Sequence, residues 1–231
     1  MDWINHKLYI DPIKTFIDPN FPVDKAIITH GHADHAIFGH KNVLATSQTI
    51  DIMKRRYGEN CANSFQEIKY GKKLKIDNFY ITFYPAGHIL GSAQILVEHK
   101  NQRVLVSGDY SRVSDKSSQD FELVKCDLFI TEATFGLPIF KHPNPKYEIK
   151  KLIQSLTMYP EKTHLVGAYA LGKTQRLIKL LREEGYDKTI YLHGSQIKLC
   201  EYYEKQGIKL GKFENSLLSK KDDFLGSIVI A

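Results

Sequence analysis

The most constraining stretch of this chain is Thr29-His30-Gly31-His32-Ala33-Asp34-His35, where four ligand-type side chains fall within six consecutive positions. It follows directly on the apolar run 25–29, which reads as a buried strand, so three imidazoles and a carboxylate crowd one loop at a strand end. Histidine and carboxylate suit a divalent metal such as Zn²⁺, and small Gly31 and Ala33 leave the backbone free to aim alternate side chains inward. A cluster of surface histidines is the bland alternative. Four ligand types in six positions after a buried strand argue against it.

Two later segments each add one ligand type at a strand end: His88 in Pro85-Ala86-Gly87-His88, after YITFY, and Asp109 in Ser107-Gly108-Asp109, after RVLV. A lone strand-end histidine is more often structural, and a lone Gly-Asp is usually a turn. Beside the histidine-rich loop they become candidate metal ligands.

Around these residues the first half reads as short β-rich runs broken by turns, with one helix, Ser47 to about Tyr57, capped by Thr46 or Ser47. Past about Pro138 the pattern becomes alternating helix and strand. Helices are predicted over Pro145 to Met158, Lys173 to Glu184 and Ser195 to Gln206, with HLVGAYA and TIYLH as strands between them. Gly185 and Gly207 stand where glycines end helices, and Pro145 after Asn144 suits a helix start. The expected organisation is α/β in two parts, 1–140 and 141–231. The closing GSIVIA looks like the opening of a buried strand.

With 231 residues, 42% of them apolar, the chain can bury a sizeable core. The net charge of +6 suits a polyanionic partner, although many solvated surfaces carry as much. Cys61, Cys126 and Cys200 form no CxxC pair, which fits a reducing compartment. The opening MDWINHKLYIDP lacks the pattern of a secretion signal, and about twenty apolar residues never run together. A cytoplasmic protein with no membrane partner is expected.

In order along the chain, Asp18, His30/His32/Asp34/His35, His88 and Asp109 resemble the motifs of the metallo-β-lactamase superfamily. That resemblance implies an αββα sandwich binding two Zn²⁺, with Mn²⁺ the alternative. His30, His32 and His88 would hold one ion, Asp34 and His35 the second, with Asp109 bridging both. Asp18 would orient the ligand loop from behind. Thr131-Glu132-Ala133-Thr134-Phe135-Gly136 and Tyr169-Ala170-Leu171-Gly172-Lys173-Thr174-Gln175 resemble segments of the β-CASP branch, the nucleic-acid nucleases of that superfamily. Asp34, Asp109 and Glu132 would then be catalytic, Glu132 supporting an acid histidine. Gly172 and Lys173, opening a helix with free N–H groups and an ammonium, could meet phosphate. An ordinary turn into a helix explains them equally well.

Across nearly its whole length, in FIDPNFPVDKAIITHGHADHA, RRYGEN, PAGHILGSAQ, VSGDYS, ITEATFGLP and GAYALGK, the chain resembles the bacterial DNA ligase-associated exonucleases, also described as mRNA 3′-end processing factors. This implies a cap domain closing over single-stranded nucleic acid, DNA favoured over RNA, and association with DNA ligase and helicase. That family continues past a strand like 227–231 with two further histidine motifs. The cap and the return to the sandwich are therefore expected to be incomplete in this chain, and His193 does not match either motif. His6, His40, His99, His142 and His164 are read as structural. Lys54, Arg55, Arg56 and the run 71–75 are read as solvated charge rather than phosphate contacts. Three other readings compete: an RNA-processing β-CASP ribonuclease, a thioester or lactam hydrolase, because metal motifs do not name a substrate, and a noncatalytic nucleic-acid-binding scaffold.

Overall fold

Short β-branched runs build two facing sheets in the first half of the chain. The structure is a computed structural model describing residues 2–231, the side chain of Lys221 excepted. It divides into two units, Met1–Glu132 and Ala133–Ala231.

The first unit begins with a sheet of β1 (Tyr9–Ile10), β2 (Thr15–Ile17), β3 (Lys25–Ile27), β4 (His40–Ala45) and β5 (Ala62–Glu67), side by side in that order. Helix α1, Ser47–Tyr57, separates its last two strands and starts where predicted: the Thr46 hydroxyl accepts the Thr49 N–H at 3.2 Å. The second sheet holds β6 (Lys73–Ile76), β7 (Phe79–Pro85), β8 (Ala93–His99), β9 (Gln102–Val106) and β10 (Leu128–Ile130), in the order β10-β9-β8-β7-β6.

Alternation along the strands sends successive side chains to opposite faces. Ile27 and Leu44 face the second sheet and join Phe79, Ile81, Phe83, Ile95, Val97 and Val104 in a core between the sheets. Their neighbours Ala26, Ile28, Val43 and Ala45 point the other way and pack with Ile50 and Met53 of α1. Helix, sheet and sheet thus stack as three layers. The outer face of the second sheet is crossed by the irregular stretch 110–127. There the Glu122 carbonyl accepts from Gln94 Nε2 at 2.7 Å.

The second unit is a parallel sheet of β11 (His164–Val166), β12 (Ile190–Leu192), β13 (Phe213–Asn215) and β14 (Ile228–Ile230), in the order β11-β14-β12-β13. Its helices are α2 (Pro145–Met158), α3 (Lys173–Glu183) and α4 (Gly194–Lys205), each within a residue of its predicted span. Asn144 caps α2 through the Lys146 N–H, with Pro145 in the first turn. The closing GSIVIA is the buried strand its composition suggested, with Ile228 and Ile230 fully covered between β11 and β12.

Arg182, near the end of α3, ties this unit together. Its guanidinium donates to the carbonyls of Tyr186, Lys188, Leu210 and Lys212 at 2.5–2.8 Å, joining the exit of α3 to the approaches of β12 and β13. Arg182→Met leaves those carbonyls without their charged donor and is expected to cost about 2–4 kcal/mol. Arg182→Lys recovers less than half of that, because one ammonium cannot span four acceptors. Chemical denaturation of the three proteins checks this.

Candidate metal centre

The ligand-bearing loops all leave strand ends, and Thr29 is where loops from the two sheets meet. Its carbonyl accepts the Ala93 N–H at the start of β8 at 2.8 Å. Gly108, at φ +55°, lies so close that a Cβ there would sit 2.7 Å from the Thr29 side chain. Position 108 therefore excludes a side chain twice over, by conformation and by contact. The His88 turn is held by Ser92, whose hydroxyl accepts the N–H groups of His88 and Ile89 at 3.1 and 3.2 Å.

These loops bring His30, His32, His88 and Asp109 together, with one ligand atom from each lying within 4.8 Å of every other. His32 Nδ1 is 3.1 Å from both His30 Nε2 and His88 Nε2. Asp109 Oδ2 lies 3.7 Å from His30 Nε2 and 3.5 Å from His88 Nε2. Tetrahedral zinc with bonds near 2.05 Å needs ligand atoms about 3.3 Å apart, so the donor set and its spacing fit a bound ion. The other carboxylate oxygen of Asp109, Oδ1, is 3.4 Å from His35 Nε2, which is 3.7 Å from Asp34 Oδ2. Asp109 thus turns one oxygen toward each of two donor groups. Asp34 is the loosest member, with a side chain 79% exposed.

Asp18, His30 and His35 also cluster, but both Asp18 oxygens are already committed. Oδ1 accepts the Thr29 N–H at 2.7 Å, while Oδ2 accepts the Thr29 hydroxyl at 2.5 Å and His35 Nδ1 at 2.8 Å. The Thr29 hydroxyl, having given its proton to Asp18, must accept from His30 Nδ1 at 3.0 Å. Both rings therefore carry a proton on Nδ1 and turn Nε2 toward the centre, where it is bare in neutral His30 and must give up its proton to a metal in His35. One carboxylate sets two ligand tautomers.

Electrostatics follow from the same packing. Burial, aided by the neighbouring imidazoles His35, His88 and His32, holds His30 well below the ordinary histidine range. Burial and the charge of His32 bring His88 down to about 4. Both are neutral at pH 7 and ready to donate lone pairs. Burial opposes a proton on His35 too, but hydrogen bonds to Asp109 and Asp18 outweigh it and raise that histidine to about 10. The hydrogen bond from His35, chiefly, holds Asp109 below the usual carboxylate range. Without metal, a proton shared between His35 and Asp109 occupies the second donor group.

Glu132, just past β10, donates its N–H to the Ser107 hydroxyl at 3.3 Å, and its charge is felt at His88. Gly172 and Lys173 lie in the second unit, at the start of α3. The N–H groups of Gly172, Lys173 and Thr174 are taken by the Gln175 side chain, the Leu171 carbonyl and the Tyr169 carbonyl. The free backbone donors expected there are thus occupied. What remains is the Lys173 ammonium, 4.2 Å above the Tyr169 ring. His193 caps α4 through the Ser195 N–H, a structural role. Thr29, Ser92 and Arg56 were missed: Thr29 and Ser92 are ordinary residue types, and Arg56 looked like solvated charge. Arg56 in fact donates to the Gly31 carbonyl at 2.7 Å.

No protein-family model matches the chain. Over 215 residues it is 29% identical to a probable DNA ligase of Opitutus terrae, a match covering 90% of this chain and 21% of that protein. Over 199 residues it is 32% identical to the endoribonuclease ysh-1 of Neurospora crassa, covering 70% of this chain and 23% of the relative. The chain thus spans under a quarter of the length of either. Its fold is similar to that of a crystal structure of a protein of unknown function from Enterococcus faecalis V583, with a TM-score of 0.55 at 12% identity, over 88% of this chain and 54% of the other. A histidine-rich centre at the strand ends of two facing sheets, in a chain with these relatives, defines the class: the chain belongs to the β-CASP branch of the metallo-β-lactamase superfamily.

Asp18 has φ +46°, a conformation asparagine tolerates well, so Asp18→Asn tests the tautomer argument with little backbone penalty. An amide cannot accept from Thr29 and His35 as the carboxylate does. Zinc affinity, measured by chelator competition, is expected to fall about 10–100-fold while the circular dichroism spectrum is unchanged.

Proposed function

We propose that this chain carries the metal centre of a zinc-dependent phosphodiesterase that hydrolyses single-stranded nucleic acid, an exonuclease working with DNA ligase in the cytoplasm. The observation that carries the reading is Asp109, whose two oxygens face two separate donor groups, an arrangement open to a carboxylate that bridges two ions. His30, His32, His88 and Asp109 would hold one Zn²⁺, and Asp34, His35 and Asp109 the other. Mn²⁺ is the alternative at the harder, more carboxylate-rich second group. Such ions supply a water nucleophile near neutral pH and charge stabilisation at the phosphoryl oxygens.

The remaining chemistry belongs to the chain. Asp18 holds the Nδ1 proton of His30, through Thr29, and that of His35, so that both Nε2 atoms would face the ions. Asp109 and Asp34 place negative charge where cations must sit, and Glu132 orients the proton donor to the leaving oxygen. The Lys173 ammonium offers a phosphate contact, and the net charge of +6 favours a polyanion. Among the described residues no helix is long and apolar enough to cross a membrane.

DNA is favoured because the probable ligase matches 90% of this chain. The endoribonuclease relative supports RNA as the second reading. The test uses the product of the complete reading frame that encodes this chain, assayed for metal content and for cleavage of end-labelled single-stranded DNA and RNA. About two zincs per chain and DNA-selective trimming from an end are expected, with Asp109→Ala and His32→Ala each reducing the rate at least about a hundredfold. RNA selectivity would move the assignment to RNA processing. Bound metal with no cleavage of either polymer would replace it with a small-molecule hydrolase or a scaffold.

A further inference from the structure

Helix α1 is tied to both turns that carry imidazole ligands. At its start the Thr46 and Thr49 hydroxyls donate to the Gly91 carbonyl at 2.7 and 3.1 Å, in the turn that follows His88. Near its end Arg56 Nη1 donates to the Gly31 carbonyl at 2.7 Å, between His30 and His32. Ile52, one helical turn before Arg56, presses on the same glycine: a Cβ at position 31 would lie 2.6 Å from Ile52 Cγ2.

That contact excludes a side chain at position 31, and glycine has the freest backbone of any residue. The relative placement of the two flanking imidazoles depends on the dihedral angles of this one glycine. Left untethered, the loop would spread His30 Nε2 and His32 Nδ1 over many separations, and each ion bound would bear the cost of ordering them. A charge-assisted hydrogen bond to the Gly31 carbonyl removes that freedom beforehand. Arg56 is free to serve in this way. Lys54 pairs with Glu59 at 3.2 Å, whereas Arg56 makes no ion pair among the described residues and otherwise rests on the Tyr57 ring.

We propose that Arg56 is a positioning residue of the metal centre: by holding the Gly31 carbonyl it sets His30 and His32 at ligand spacing before metal arrives. The inference rests on reading those histidines as metal ligands, and is independent of which polymer is cut. The metal-free protein, with its Arg56→Ala and Arg56→Lys variants, is titrated with Co²⁺ under chelator competition while the ligand-field absorption is recorded. Thermal midpoints of the metal-free proteins are measured in parallel. Arg56→Ala is expected to bind Co²⁺ about tenfold more weakly, with altered ligand-field bands and a thermal midpoint like the parent's. Arg56→Lys, which keeps one charged donor, recovers part of the affinity and the parent bands.

An alanine variant with parental affinity and bands overturns the proposal, as does a lysine variant no better than alanine. A higher KM for nucleic acid with unchanged Co²⁺ affinity would make Arg56 a substrate contact and overturn it equally. Those results leave the metal reading standing. A parent protein that binds no Co²⁺ would remove both.

Discussion

The candidate site depends first on the Asp18 carboxylate. Three hydrogen bonds end on it, two from Thr29 and one from His35, and a fourth passes through the Thr29 hydroxyl to His30. Satisfying a buried carboxylate in this way is a stability requirement. Here the same bonds dictate which nitrogen of two imidazoles faces the ligand cluster. Structure and chemistry are set by one group, so Asp18 has no latitude that would disturb the fold and spare the site.

The two sheets supply what a carboxylate cannot, the meeting of loops distant in sequence. His30, His32 and His35 follow β3, His88 follows β7 and Asp109 follows β9. A dry core of isoleucine, valine and phenylalanine fixes one sheet against the other. The Thr29 carbonyl and the contact of Gly108 with Thr29 then pin the strand ends across the gap. Helix α1 braces the back of the first sheet and touches both imidazole turns at its two ends. A ligand geometry spread over 80 positions of sequence is thereby held by one core and one helix.

Much of this was legible from residue order. The helices carry strong local signals, Thr46, Asn144 and Gly172 at their starts, so their bounds fell within a residue. The ligand types stood out because four of them fall within six positions after an apolar strand, and the geometry gathers His30, His32, His88 and Asp109. What was not legible depends on contacts across the fold. A run of lysine and arginine gives no sign that Arg56 will reach a glycine carbonyl 25 positions away, or that Arg182 will serve four carbonyls. At the start of α3 a phosphate contact and an ordinary turn into a helix read alike, because sequence cannot show Gln175 folding back on the Gly172 N–H.

The central claim is that one carboxylate, Asp109, is shared by two metal ions, one ligand of each, His30 and His35, being oriented by Asp18. It is tested most directly by a crystal structure of the zinc-loaded protein with anomalous diffraction recorded on both sides of the zinc edge. The account predicts two peaks flanking Asp109, one against His30, His32 and His88 and the other against His35 and Asp34, with Asp18 bonded to neither. A single peak held by Asp18, or zinc bound away from Asp109, would contradict it.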